Sequence, residues 1–145
     1  MPIANYSTTS SVDKTMGDVV GALTRRGVTR ISTVFDETGE PAGLEFTMRT
    51  EYGFRDFALP IRTEGVLATL RRDKVPPRYA TSEHAARVAW AIARDWLRAQ
   101  SALVDAGLVT LDEVMFPWML GYGNAAEPAR TAFDAYRSQQ KAIAS

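Results

Sequence analysis

The fold turns on the stretch TRISTVFDETGEPAGLEFTMRTEYGFRDFALPI, residues 29–61. Ile31, Thr33 and Phe35 alternate with Arg30, Ser32 and Val34. After the turn at Asp36-Glu37-Thr38-Gly39, Leu44, Phe46 and Met48 alternate with Glu45, Thr47 and Arg49. Glu51-Tyr52-Gly53 turns the chain again, and Arg55, Phe57, Leu59 and Ile61 share one face of the third run. A period of two with apolar residues on one side marks strands with one buried face, and tight turns between them give an antiparallel meander.

Helical spacing flanks the meander on both sides. Val12, Met16, Val19, Val20 and Leu23 recur at helical intervals, with Ser10 or Ser11 as cap and Gly27 just past the end. After Pro60, Thr63 is placed to cap a short helix carrying Val66, Leu67 and Leu70, and Val75-Pro76-Pro77-Arg78 ends it. The longest helix is expected from Thr81 or Ser82 to Gly107. Ala85, Val88, Ala89, Ile92, Trp96, Ala99, Leu103 and Ala106 form its apolar stripe, about 100° wide. A second stripe runs through Ala86, Trp90, Ala93, Leu97 and Val104. Thr110-Leu111-Asp112-Glu113 has capping-box form, Pro117 interrupts the helix that follows, and Gly121-Tyr122-Gly123-Asn124 reads as a turn. A last helix is expected from about Glu127, with Ala129, Phe133 and Tyr136 inward.

This order predicts an α+β fold: an N-terminal helix, a three-stranded antiparallel meander, then a long helix and shorter C-terminal helices packed on the sheet. Residues 1–10 read as a flexible lead-in and residues 11–145 as a single domain. Ile31, Phe35, Phe46, Met48, Phe57 and Leu59 are expected to share a core with Ile92 and Trp96.

Composition narrows the chemistry. With no Cys there is no disulfide, thiolate metal site or Cys nucleophile, and the lone His84 stands in no catalytic motif. HExxH, GxGxxG, GxxxxGK[ST] and GxSxG are all missing. The expectation is therefore a protein without catalytic residues, metal or cofactor, and not an enzyme. No apolar run approaches the roughly 18 residues of a membrane span, and residues 1–10 lack the order of a signal peptide.

The 17 basic and 17 acidic side chains are unevenly spread. Residues 61–100 carry eight basic and four acidic ones, so this third is the candidate polyanion surface. On the long helix Arg87, Arg94 and Arg98 fall within an arc of about 40°, with Trp90 about 60° to one side. A row of Arg beside an aromatic can bind phosphates and stack on a base. The same row also fits a solvated face with a Glu83–Arg87 pair and Trp90 packed under a neighbour. Arg71, Arg72, Arg78 and Tyr79 surround the Pro-Pro loop, where they can touch a ligand or simply favour the negative end of a helix dipole. Met115-Phe116-Pro117-Trp118-Met119-Leu120 is the most apolar window, either a core plug or a partner patch.

Tyr6-Ser7-Thr8-Thr9-Ser10, Phe57-Ala58-Leu59-Pro60, Ala85-Ala86-Arg87-Val88-Ala89-Trp90 with Asp95-Trp96-Leu97-Arg98-Ala99-Gln100, and Leu111 to Pro117 resemble short phage and prophage proteins. The likeness covers most of residues 5–120. It implies a phage or prophage product in the cytoplasm of a host cell, and it brings no activity and no functional residues with it. The strand and helix order is also similar to phage single-strand annealing proteins and to double-stranded RNA-binding domains, but neither family's signature is present.

The leading expectation is an accessory protein that binds single-stranded DNA through Arg71, Arg72, Arg78, Arg87, Arg94 and Arg98, with Tyr79 and Trp90 stacking on bases. The rival is a protein-binding module that inhibits or redirects a host or defence protein through the helices and the 115–120 window, and a virion or assembly component is a third possibility. Net neutrality favours the rival. Two apolar stripes on one helix further predict a homo-oligomer, with Trp90 and Leu97, or Met115, Phe116, Trp118 and Met119, at the contact.

Overall fold

A computed structural model describes residues 1–123 and 126–144. The elements are α1 (Val12–Thr24), β1 (Val28–Phe35), β2 (Pro41–Thr50), β3 (Gly53–Pro60), α2 (Thr63–Arg72), α3 (Ser82–Asp105), α4 (Leu111–Met115) and α5 (Ala132–Ala144). Single 3-10 turns lie at Pro77–Tyr79 and Phe116–Trp118. The fold is the expected α+β arrangement, with the three strands antiparallel in the order β1-β2-β3.

Strand register builds the core in rows. Ile31 lies beside Phe46 and Phe46 beside Phe57, while Thr33, Leu44 and Leu59 form the next row. The Phe46 and Phe57 rings stack with centroids 5.3 Å apart. Phe35 departs from the expected core and is 60% exposed. A register shift between Val34 and Phe35 breaks the alternation, and a bulge of this kind turns every later side chain off its face. Beyond β3, Met119 pairs with Phe57, Leu120 N–H donates to the Asp56 carbonyl at 2.8 Å, and Leu120 pairs with Thr131. These short bridges close the outer edge of β3 and fix the start of α5.

Helix α3 is the centre of the molecule. Its cap is Thr81, whose hydroxyl accepts from His84 N–H at 3.1 Å. From His84 to Ala91 every residue except Arg87 is buried. Successive side chains point about 100° apart, so this stretch has neighbours on every side. α1 and α2 pack along it, and Trp90, fully buried, donates its indole N–H to the Pro41 carbonyl at the start of β2 at 3.0 Å. Core contact therefore falls to the stripe holding Trp90 and Leu97, while Ile92 and Trp96 are only half-buried.

Residues 1–10 are not a loose lead-in. Ile3 N–H donates to Asp73 at 3.0 Å, Asn5 Nδ2 to Asp95 at 2.9 Å, and His84 Nε2 lies 2.6 Å from the Tyr6 carbonyl. Ile3 and Tyr6 pack on a second small core of Leu70, Val75 and Ala85. The segment crosses the side of α3 where His84, Ala91 and Asp95 align; His84 and Ala91 are buried there and Asp95 stays exposed at the edge.

Three further differences have local causes. Thr63 does not cap α2; Arg62 stands at its N-cap position without a side-chain bond. The last helix starts at Ala132, because the Leu120–Thr131 bridge holds the chain extended just before it. Phe133 and Tyr136, expected inward, are 49% and 56% exposed. Of the expected Gly121–Asn124 turn, Asn124 lies outside the described residues.

Two glycines carry opposite expectations. A Cβ at Gly43 would sit 2.9 Å from the Leu59 carbonyl oxygen on the adjacent strand, whereas one at Gly17, inside α1, would meet nothing within 4 Å. Gly43→Ala is expected to lower stability by about 1–3 kcal/mol. Gly17→Ala is expected to raise it by about 0.5–1 kcal/mol, because it restricts the unfolded chain and suits a helix. Urea denaturation midpoints at unchanged m-value test both signs.

Candidate binding cleft and basic surfaces

The sequence-predicted cations are mostly engaged. Arg87 pairs with Glu83 at 2.8 Å and Arg94 with Asp95 at 3.0 Å, and Arg98 lies 4.0 Å from both Asp18 and Asp95. The Arg94 side chain is 15% exposed, lining the crevice where α3 meets α1. Trp90 is not available for stacking, since its ring is wholly inside the core. Arg71, Arg72 and Arg78 are exposed, with Arg72 at 3.6 Å from Asp73. Tyr79 is already engaged: the Arg78 guanidinium sits 4.6 Å from its centroid, His84 stacks at 4.9 Å, and Tyr6 meets it edge-on at 5.9 Å. The expected phosphate-and-base surface thus reduces to exposed cations at the α2 C-terminus and, with Arg78, in the 3-10 turn that follows.

The expected contact residues also divide. Leu97, Met115 and Met119 are buried in the core and cannot meet a partner. Their apolar bulk closes the end of the sheet instead. Phe116 is 41% exposed and packs edge-on against Tyr122 at 4.9 Å. Trp118 is half-buried on the wall of a cleft.

That cleft, separate from a depression of about 680 Å³ between the β2–β3 turn and the α3–α4 link, encloses about 580 Å³. The end of β3 and the link to α2 supply Leu59, Pro60, Ile61 and Arg62, and α2 adds Val66. From α3 come Ala89, Ile92, Ala93 and Trp96, which recur at helical intervals and so share one face. Pro117, Trp118 and Phe133 form the far wall. The Trp96 and Trp118 rings meet edge to face at 5.6 Å, which sets the width at that wall. A second depression of about 300 Å³ continues over Pro60, Arg62, Trp118 and Phe133 toward Glu45 and Asp134.

Among the described residues Arg62 is the one charged residue lining this cleft. Its guanidinium has no ion-pair or hydrogen-bond partner among the described residues. It also stands at the N-cap of α2, where the helix dipole already disfavours a cation and no side chain accepts from the first N–H groups. Both features make this rim attractive to an anion. Sequence reasoning missed Arg62, Trp96 and Phe133 as a group; the detectable signal was a cation in place of the usual Ser, Thr, Asp or Asn cap.

Among the described residues no helix is long and apolar enough to cross a membrane, and no cluster of three or more His, Asp or Glu side chains could hold a metal ion. Compared with known protein families, characterised proteins and solved structures, the chain shows no match.

The Asn5–Asp95 contact yields a test of the docked N-terminal segment. The Asn5 amide, followed by Arg94 and Arg98, holds the Asp95 carboxyl below the ordinary aspartate value. A depressed carboxylate contributes stability that is full above the ordinary aspartate value and lost as pH falls from there through the lowered one. Asn5→Ala is expected to move the Asp95 titration upward toward the ordinary value while leaving Asp36, held low chiefly by Thr38, unchanged. Carboxyl carbon NMR titration reads both.

Proposed function

We propose that the chain is a non-enzymatic protein-docking module whose cleft receives the apolar face of a partner helix. The carrying observation is the pairing of an apolar, side-chain-lined cleft with the unpartnered Arg62 on its rim. Clefts of roughly 300–1,000 Å³ with a few polar groups at the edge are the usual form of binding sites.

The recognition mode follows from what the cleft lacks. An extended peptide binds by adding a strand to an open sheet edge. Here the β3 edge is occupied by Met119 and Leu120, and Pro60 at the cleft has no N–H to offer. Affinity must come from side-chain burial, which suits an amphipathic helix with a carboxylate on its flank for Arg62. In the phage setting that the sequence resemblance implies, such a surface serves a protein that seizes or redirects another protein.

The nucleic-acid reading keeps Arg71, Arg72, Lys74 and Arg78, all exposed, but no free aromatic ring beside them. Arg71, Arg72 and Lys74 lie at the α2 C-terminus, whose dipole favours cations and is repulsive to phosphate, and Arg78 lies in the 3-10 turn beyond it.

Trp96 and Trp118 provide the readout, because both line the cleft while Trp90 is sealed in the core. A synthetic amphipathic helix with Leu and Phe on one face and Glu on its flanks is expected to shift the emission to shorter wavelength. The same peptide with Lys for Glu is expected to bind about 10-fold more weakly, and Arg62→Glu to reverse that order. A single-stranded oligonucleotide titrated in parallel is expected to leave the emission unchanged. Steeply salt-dependent oligonucleotide binding, with no response to either peptide, overturns this reading in favour of nucleic acid.

A further inference from the structure

We infer that the open edge of β1 pairs with β1 of a second copy of this chain, antiparallel about a two-fold axis at Ser32, so that two three-stranded sheets join into one. The cleft lies beside β3, at the other edge of the sheet, and stays free in such a pair.

The two edges of the sheet are finished differently. β3 is closed by the Met119 and Leu120 bridges, whereas among the described residues no backbone hydrogen bond joins Val28–Phe35 to anything beyond the sheet. Which groups are left over follows from the ladder. The Ala42 carbonyl accepts from Ile61 N–H at 2.8 Å, so Ala42, Leu44 and Phe46 turn their backbone groups toward β3, and Gly43, Glu45 and Thr47 turn theirs toward β1. The Thr29 hydroxyl, donating to the Thr47 carbonyl at 3.3 Å, agrees. Opposite these residues stand Val34, Ser32 and Arg30, which therefore bond inward. Ile31 and Thr33 keep N–H and C=O groups directed out of the sheet. Such groups are a template for another strand, and natural edges are commonly guarded by Pro, Lys or an inward-pointing charge. β1 has none of these: its sequence VTRISTVF holds one charge, Arg30, and Val34 and Phe35 at its end are 40% and 60% exposed. Register shifts at either end confine the regular edge to residues 30–34.

Symmetry and charge both select a second copy. With Ser32 on the axis, Ile31 of each copy lies opposite Thr33 of the other, and the two exchange all their outward bonds. Arg30 then lies opposite Val34 on the solvent-facing side. The strand is also basic before its start and acidic after its end, with Arg25, Arg26 and Arg30 against Asp36, Glu37 and Glu40. Arg25, Arg30 and Glu37 are exposed and form no ion pair among the described residues. Antiparallel pairing brings Glu37 level with Gly27 of the other copy, between Arg25 and Arg30, at both ends of the contact. Parallel pairing would set like charges side by side. One strand edge with Val34 and Phe35 at its ends makes a small, reversible interface, under about 1,200 Å², so the dimer is expected to exchange with monomer at micromolar concentrations.

Sedimentation equilibrium between about 5 and 500 μM is expected to move from 16.0 kDa toward twice that mass. Over the same range amide exchange at Ile31 and Thr33 is expected to slow at least about 10-fold, while Ser32, already in the ladder, changes little. Thr33→Pro removes an outward N–H and is expected to keep the chain monomeric with an unchanged circular dichroism spectrum. Ser32→Pro removes an inward one and is expected to destabilise the sheet instead. Arg30→Glu and Glu37→Arg, both at exposed positions, are each expected to weaken the dimer about 10-fold, because the axis repeats the altered contact. The double variant, and an equal mixture of the two single variants, are expected to recover it. These charge variants decide the matter should Thr33→Pro fail to fold. A mass of 16.0 kDa at every concentration, a dimer that persists in folded Thr33→Pro, or charge variants that neither combination rescues, overturns the pairing.

Discussion

The burial of Trp90 is the constraint on which the rest of this structure depends. A tryptophan ring inside a core is tolerated only where its N–H finds an acceptor. Here the acceptor is the Pro41 carbonyl, at the point where β2 begins. One hydrogen bond thus fixes both the depth and the rotation of α3 over the sheet. Around it, Ala85, Ala86, Ala89 and Ala91 keep the helix slim enough for α1, α2 and the N-terminal segment to close in from every side. Arg87 is the single residue of that stretch that escapes.

That rotation has a consequence on the opposite stripe. Once Trp90 and Leu97 point into the main core, Ala89, Ile92 and Trp96 must face the gap between α2 and the Phe116–Trp118 turn. α2 covers one side of the gap with Val66 and the Pro117–Trp118 turn covers the other, but nothing in the described residues spans it. The cleft is therefore a by-product of choosing one of two apolar stripes for the core. Leaving several large apolar side chains half wet loses roughly 1 kcal/mol or more apiece relative to full burial, a loss that an occupant would recover.

How much of this could be read from the chain depends on whether one element or several decided the outcome. The meander was legible because period-two alternation is a property of each strand alone, and Phe46, Met48, Phe57 and Leu59 take the core positions it assigns. Phe35 was not, because the bulge that turns it outward comes from pairing with Pro41, not from its own neighbours in sequence. The boundaries of α3 and the capping box at Thr110 and Glu113 were legible through local hydrogen-bonding chemistry. Choosing between the Trp90 and Trp96 stripes was not, since both are apolar and only the position of Pro41 separates them. The N-terminal segment looked loose because Ile3, Asn5 and Tyr6 anchor it to Asp73, Asp95 and His84, which are 70 or more residues away. Of the site, Trp118 belonged to a window already marked as apolar; Arg62 and Phe133 gained meaning only when the fold set them on either side of one cleft.

The distribution of charge carries the last step. A chain with 17 acidic and 17 basic side chains can still bind a polyanion if its cations are gathered and its anions held apart. In this fold the reverse holds along α3, where Glu83, Asp18 and Asp95 lie within 4.0 Å of Arg87, Arg94 and Arg98. A phosphate approaching that row would meet cations whose fields are largely offset by their own partners. Arg71 and Arg72, at the negative end of α2, are where a helix accommodates cations without any ligand. Arg62 is different in kind: it sits at the positive end of the same helix, without an ion pair among the described residues, beside apolar walls that raise the strength of any pair it forms. A single cation outside any ion pair on the edge of an apolar cleft selects one carboxylate in a defined place. That is a property suited to recognising a particular protein surface, and poorly suited to following a uniform phosphate backbone.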